Sequence, residues 1–314
     1  MVYLDLLFIL TVVNISRLGT RDTVLMIFAR SVLAGLVLPL LPLGAFAQGE
    51  TISASVGQAT DATNAAIPDA NPGRPTVSTP ATLTPVGYLQ FESGFTVAGD
   101  SPEFSSRYGF NEVMKLSVTR RVELLASAEP VAHFTAQGTT ANRMADVFLG
   151  AQGVLYHGEG AKPTFAVSYF HRVYNGGAPE FDFGSPTNSF LVLASADVKG
   201  FHYDANAFFT ELVEEPVRRG QFGQSLTISH PFLKNFILSG EIWHFTQPFL
   251  RSNAVGNLWA VSYTARKTLV FDLGFNHGLT GTSTQWEVFA GFTYLLPHRL
   301  WSRHGFHLNT SGTH

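Results

Sequence analysis

The sequence predicts an all-β protein: a transmembrane antiparallel β-barrel of about twelve strands, behind a cleaved N-terminal signal and a disordered periplasmic linker. Three observations predict it. Residues 86–296 alternate polar and apolar side chains with period two, as strands with two different faces do. The connections between these segments alternate between short and long, as in outer-membrane barrels. The composition is apolar, with 45% hydrophobic and 14% charged residues and a mean hydropathy of +0.13. Yet after residue 50 no unbroken apolar stretch approaches the roughly 18–20 residues of a spanning helix. A soluble sandwich would share the alternation, but it has no reason to sort its connections by length.

The N-terminus has the layout of a secretory leader. Met26, Ile27, Phe28, Ala29 and Arg30 precede the apolar run SVLAGLVLPLLPLG, and Ala45-Phe46-Ala47 forms a cleavage site before Gln48. The leader spans 1–47, with translation expected to start at Met26. A membrane hairpin is disfavoured, because the first apolar run is too short to span and contains Asp5. Losing a leader of net charge +1 (Arg17, Arg21 and Arg30 against Asp5 and Asp22) takes the chain from −3 to −4. That balance offers no basic footprint for nucleic acid. Without cysteine there is no disulfide framework, thiolate nucleophile or thiolate metal site.

Residues 48–84 are rich in Ala, Thr, Ser, Pro and Asn, and are expected to form a flexible periplasmic segment. The barrel is assigned to 85–297 and a C-terminal tail to 298–314. Strands are predicted near 86–97, 108–118, 122–130, 143–155, 164–173, 188–198, 202–213, 221–229, 235–247, 256–264, 269–278 and 285–296. In the first, Leu89, Phe91, Ser93, Phe95 and Val97 oppose Gln90, Glu92, Gly94 and Thr96. In the eleventh, Leu269, Phe271, Leu273 and Phe275 oppose Asp272, Gly274 and Asn276. Three strands are less regular: Glu112 falls in the apolar register, and Leu191, Leu193, Trp243 and Phe245 in the polar one.

Tight turns are expected at 119–121, 199–201, 231–234 and 266–267, with a longer one at 158–163. Looser polar connections are expected at 98–107, 131–142, 174–187, 214–220, 248–255 and 279–284. Tyr88, Tyr108, Tyr156, Tyr169, Trp259, Tyr263, Trp286, Tyr294 and Trp301 are candidates for interfacial girdles, with ordinary aromatic packing as the plain alternative.

Several segments resemble a bacterial family of outer-membrane proteins associated with the meta pathway of phenol degradation, often called simply transporters. They are NPGRPTVSTPATLTPVGYLQFESGFT, KLSVTRRVELLAS, DVFLGAQGVL, LSGEIWHF and TLVFDLGFNHGLTGTSTQWEVFAGFTYLL, which together span about residues 72–296. The resemblance implies a barrel of about twelve strands and uptake of aromatic or other apolar small molecules. It carries over no binding residues. Gly291, Tyr294 and Leu296 resemble the terminal assembly signal of such barrels, but here residues 297–314 follow it.

The inward register holds Glu92, Glu123, Asp146, Asp197, Asp204, Glu241, Asp272 and Glu287 against Lys115. These residues are the candidate lumen lining. They make either an acidic passage for cations and hydrogen-bond donors, or a solvated interior with Arg partners from loops. Trp243, Phe245 and Phe289 on the same face offer a slide for aromatic solutes, unless a one-residue register shift turns them to lipid.

No catalytic site, cofactor or metal site is expected. The one enzymatic candidate is a lipolytic pair of His277 and Ser283, but Leu279 stands where a nucleophile beside the His would sit. His298, His304, His307 and His314 are scattered along the tail, without Cys or nearby carboxylates.

The expected function is passive passage of small apolar or aromatic molecules through a bacterial outer-membrane barrel. The expected partners are the solute, outer-membrane lipid and lipopolysaccharide, and the barrel-assembly machinery. The alternative is a non-transporting surface barrel, although connections this short are small for an adhesin.

Overall fold

Alternating side chains of this kind give each strand one apolar and one polar face, and a sheet of such strands hides its polar face by closing on itself. The computed structural model describes residues 67–182, 186–214, 216–250 and 252–301. Among these the strands are β1 (Leu89–Gly99), β2 (Ser106–Ser117), β3 (Val122–Ala136), β4 (Thr139–Arg143), β5 (Val147–Tyr156), β6 (Thr164–Tyr174) and β7 (Pro186–Val198). They continue as β8 (Phe201–Glu214), β9 (Val217–Leu233), β10 (Phe236–Phe245), β11 (Ala254–Arg266), β12 (Leu269–Gly278) and β13 (Trp286–Leu295). Each of twelve strands pairs antiparallel with its neighbours, and β1 closes the ring by pairing with both β2 and β13. The short β4 stands outside the ring, paired only with the end of β3.

All twelve expected strands are present, and the differences lie at their ends. Residues 131–142 are not a loose connection. β3 runs on to Ala136 and returns as β4 through Gln137 and Gly138, whose φ values of 49° and 75° suit a two-residue hairpin turn. Residues 143–146 precede β5 rather than belonging to it. Residues 214–220 are mostly strand, because β8 ends at Glu214 and β9 begins at Val217. β9 also continues through Pro231, where the pairing to β10 shifts register, so that tight turn moves on to 234–235.

The outward face is an apolar belt. Phe95, Leu149, Leu155, Phe190, Leu273 and Phe275 are each more than 40% exposed. An apolar surface on that scale marks contact with lipid or protein, and a ring of it around a closed barrel suits a bilayer. Tyr108 and Trp286 lie on the belt near the rim of longer connections, and Tyr156 and Tyr263 near the opposite rim. Tyr169 and Trp259 sit at mid-strand within the belt. Glu112 points outward, as its register predicts, beside an irregularity in the β2–β3 pairing.

The interior is divided. One wall carries Val154, Ala166, Leu191, Leu193, Phe208, Trp243, Phe245 and Ala254, all buried. There is thus no register slip at the irregular strands: their apolar residues face inward because something apolar covers them. What covers them is the N-terminal segment. Val77, Ala81 and Leu83 pack against this wall, and Val77 also touches Leu258, Ala260 and Phe289. The expectation of a disordered or extended periplasmic segment over 48–84 is therefore corrected for residues 71–84, which occupy the lumen, while 67–70 lie at its rim. The leader (1–47), residues 48–66, and tail residues 302–314 with His304, His307 and His314 lie outside the described residues.

The belt makes a direct prediction. Leu273 lies at the middle of β12 and is 59% exposed, so Leu273→Arg should cost about 2–4 kcal/mol of folding free energy in a bilayer. The same change at Gly281, in an open connection, should cost close to nothing. Urea titration of both variants in lipid vesicles measures the difference.

Candidate functional site

The site is the lumen, and it is built from inward side chains and the segment they hold. The segment begins near the β11–β12 turn, where the Ala70 amide donates to the Lys267 carbonyl. The Asn71 amide then donates to the Gln90 side chain at 2.8 Å, and the Gly73 amide to Glu92 at 2.9 Å. Glu92 also pairs with Lys115 at 2.6 Å, both side chains being buried.

Arg74 is the first strong anchor. Its guanidinium donates to both carboxylate oxygens of Asp272, at 3.2 and 3.1 Å, and to the Asn111 side-chain oxygen at 2.9 Å. It lies over Gly94 and Gly291, which face each other across the β1–β13 pairing. A Cβ at Gly291 would come within 2.8 Å of Arg74 Nε, so the close approach of the guanidinium requires glycine there.

Glu241 is the second anchor. It accepts the amides of Val77 and Ser78, each at 2.7 Å, and the Ser78 hydroxyl at 2.6 Å. Beyond it the Thr79 amide donates to Asn206 Oδ1 at 2.6 Å, and Asn206 returns a bond to the Thr79 carbonyl at 3.0 Å. Gln152 donates to the Pro80 carbonyl, and the Ala81 amide donates to Ser195, whose hydroxyl is held by Asp204. Last, the amide and hydroxyl of Thr84 both donate to Glu123, which also accepts the Ser117 hydroxyl. A Pro-rich strap with few partners of its own thereby gains one from nearly every strand it crosses.

Of the candidate lumen residues, Glu92, Glu123, Glu241 and Asp272 bind the segment directly. Lys115 and Asp204 support it through Glu92 and Ser195. The Arg partner that the sequence sought in loops is Arg74, from the segment itself. Asp146 and Glu287 lie elsewhere: Asp146 accepts from Arg172 at 2.9 Å and from the Gly176 amide at 2.6 Å. Asp197 is exposed at the rim, where the strand leaves the lumen, and bonds His202 at 2.8 Å. No group of three or more His, Cys, Asp or Glu placed to hold a metal occurs among the described residues. The lipolytic pair is not assembled. His277 Nδ1 is bonded to the Gln285 carbonyl at 2.7 Å, while the buried Ser283 hydroxyl donates to the Val255 carbonyl at 2.9 Å.

A second element enters from the opposite rim, unforeseen in the sequence. The β6–β7 connection turns inward at residues 179–182. Arg107 donates to the Pro179 carbonyl at 2.9 Å and lies 4.3 Å from the centre of the Phe181 ring. Asp182 accepts the Thr284 amide at 2.7 Å, and its carbonyl accepts from Gln247, also at 2.7 Å. Between this loop and the Arg74–Val77 stretch lies a chamber of about 300 Å³. A larger depression of about 780 Å³ lies outside, on the belt beside Tyr169, Phe209 and Phe222, away from the lumen.

The inward loop carries two perturbed carboxyls. Burial, reinforced by Asp146, pushes Glu180 up to about 8 against the pull of Arg107 and Arg172. Burial pushes Asp182 up to about 6, opposed by its bond from the Thr284 amide. The docked loop therefore binds protons that a released loop would give up. Its docking is strongest below the ordinary carboxyl values of 4.5 and 3.8 and weakens as pH rises through about 6 and about 8. Release of the loop, read as amide hydrogen exchange at 180–182 relative to the intrinsic rate, should rise between pH 5 and 9. Glu180→Gln should remove the upper part of that rise, and Asp182→Asn the lower part.

No family model and no curated protein matches the sequence. Among solved structures, the fold is similar to the COG4313 outer membrane channel from Pseudomonas putida F1, with a TM-score of 0.51 at 10% identity. That match covers 68% of this chain and 97% of the other. Two porins are weaker matches. The NanC porin has a TM-score of 0.45 at 10% identity, covering 65% of this chain and 97% of the other. The KdgM porin has a TM-score of 0.46 at 11% identity, covering 65% and 98%. At such identities the likeness is one of fold, and the fold is a closed antiparallel barrel of the kind that outer-membrane channels use.

Proposed function

We propose that the protein is a passive channel of the bacterial outer membrane, seated in lipid and lipopolysaccharide by its apolar belt. In this reading the barrel-assembly machinery inserts it after export, and its solutes are small apolar or aromatic molecules. No covalent chemistry is involved. The observation that carries the reading is the lumen itself: a closed barrel whose interior is filled by a segment of its own chain, held there through hydrogen bonds and the Arg74–Asp272 ion pair. Such a filling can leave and return without breaking a covalent bond. The apolar wall behind it, from Leu191 to Trp243 and Phe245, is the surface a greasy solute would follow once the segment moves.

The closed state should depend on the two anchors. Removing a charge-assisted hydrogen bond costs about 1.5–3 kcal/mol, which is about ten- to a hundredfold in the ratio of docked to released segment. Arg74→Ala and Glu241→Ala should each raise the open probability by at least tenfold in planar bilayers, with salt-dependent steps. If folded native protein and both variants stay silent, the lumen is not a route, and a non-transporting surface role takes its place.

A further inference from the structure

The chamber between the segment and the inward loop holds one carboxyl, Glu287, that takes no part in docking either element. Its volume of about 300 Å³ is at the small end of ligand pockets, enough for a molecule with one ring. Its apolar lining includes four aromatic rings, Phe181, Trp243, Phe245 and Phe289, with Trp243 and Phe245 tilted at a centroid distance of 5.8 Å. Two carboxyl groups, Asp182 and Glu287, share the same wall.

Glu287 is held in place by a chain of side chains. Trp243 Nε1 donates to Asn276 Oδ1 at 2.9 Å, and Asn276 Nδ2 donates to Glu287 Oε2 at 3.1 Å. The other oxygen of Glu287 accepts no hydrogen bond among the described residues. Neither Glu287 nor Asp182 forms an ion pair among them. The one cation in the lining, Arg74, is already committed to Asp272 and Asn111. The chamber thus presents an oriented acceptor and a second carboxyl without a matching positive charge, enclosed by π-faces.

We propose that this chamber binds a protonated primary amine carrying a single aromatic ring. The ammonium supplies the counter-charge that a buried carboxylate otherwise lacks, and donates to the open oxygen of Glu287. The ring stacks among the four aromatics, and the positive charge gains from their faces. A carboxylate of the same shape meets like charge, and a neutral alcohol leaves the acidic pair uncompensated. The proposal deepens the channel reading by naming the solute class held midway along the route.

Equilibrium binding to the purified full chain in detergent, by calorimetry, separates the two ideas because it requires no permeation. The probes are 2-phenylethylamine, 2-phenylethanol and phenylacetate. The amine should bind at least tenfold more tightly than either isostere, and Glu287→Gln should abolish most of that preference. Equal binding of amine and alcohol, tighter binding of phenylacetate, or no binding of any probe overturns the proposal, and none of these needs a variant to fold. Amine binding by a chain that conducts nothing would keep the site while defeating the channel.

Discussion

A carboxylate turned into a narrow barrel has to find donors there, and the interior of this protein is organised by that need. Glu92, Glu123, Glu241 and Asp272 all face the lumen where the segment runs. Covered by the segment they lose hydration, at a cost of several kcal/mol for each buried charge left unpaired. The segment over 71–84 answers this with backbone amides. A Pro-rich stretch forms no helix or strand of its own, so its N–H groups remain available: Glu92 and Glu123 take one each and Glu241 two, while Asp272 takes the Arg74 guanidinium. Wall and segment are therefore incomplete without each other: the segment lacks internal partners, and the wall lacks donors.

The acidic half of the lumen sets where the segment runs, and the apolar half sets how closely it packs. Ala81 is fully buried against Leu191 and Leu193, and Val77 bridges the two apolar clusters. Hydrogen bonding gives direction, since each amide must meet its own acceptor. Apolar burial gives adhesion at about 25 cal/mol per Å² without direction. Arg74 combines the two, because its guanidinium is planar enough to lie on the glycine floor while its edge reaches Asp272 and Asn111. A lysine in its place would present a single ammonium and leave the floor uncovered.

The barrel was legible because its determinant is local. Period-two alternation and turn residues appear in any window of ten residues, and twelve such windows were enough to count the strands. What was not legible has partners far away in the chain. Residues 67–84 look like a linker because their order comes from residues 92, 123, 206, 241 and 272, and no local pattern carries that information. One signal did exist. Leu191, Leu193, Trp243 and Phe245 break the polar register, and an apolar residue on a lumen face implies something apolar inside. The inward turn at 179–182 left no comparable trace, since Phe181 and Asp182 look like ordinary loop residues until Arg107 and Thr284 are seen to hold them. The lengthening of β9 through Pro231 escaped for the opposite reason: proline argues against a strand, and a register shift toward β10 tolerates it.

The two elements that occupy the lumen are held by different physics, and this gives each rim its own sensitivity. The segment is held by carboxylates of the wall, which accept its amides and the Arg74 guanidinium. The loop depends on acids kept partly neutral by burial at Glu180 and Asp182, so its hold weakens when they ionise. Falling pH therefore tightens the loop. The chamber between them is enclosed most firmly on the loop side where Glu180 and Asp182 hold their protons. A ligand bringing a positive charge into that space would favour the charged form of Asp182 and supply the counter-charge that the ionised group needs there. The filled lumen in this sense joins two docked pieces of chain, one held by fixed acceptors of the wall and the other by the protons its own acids carry.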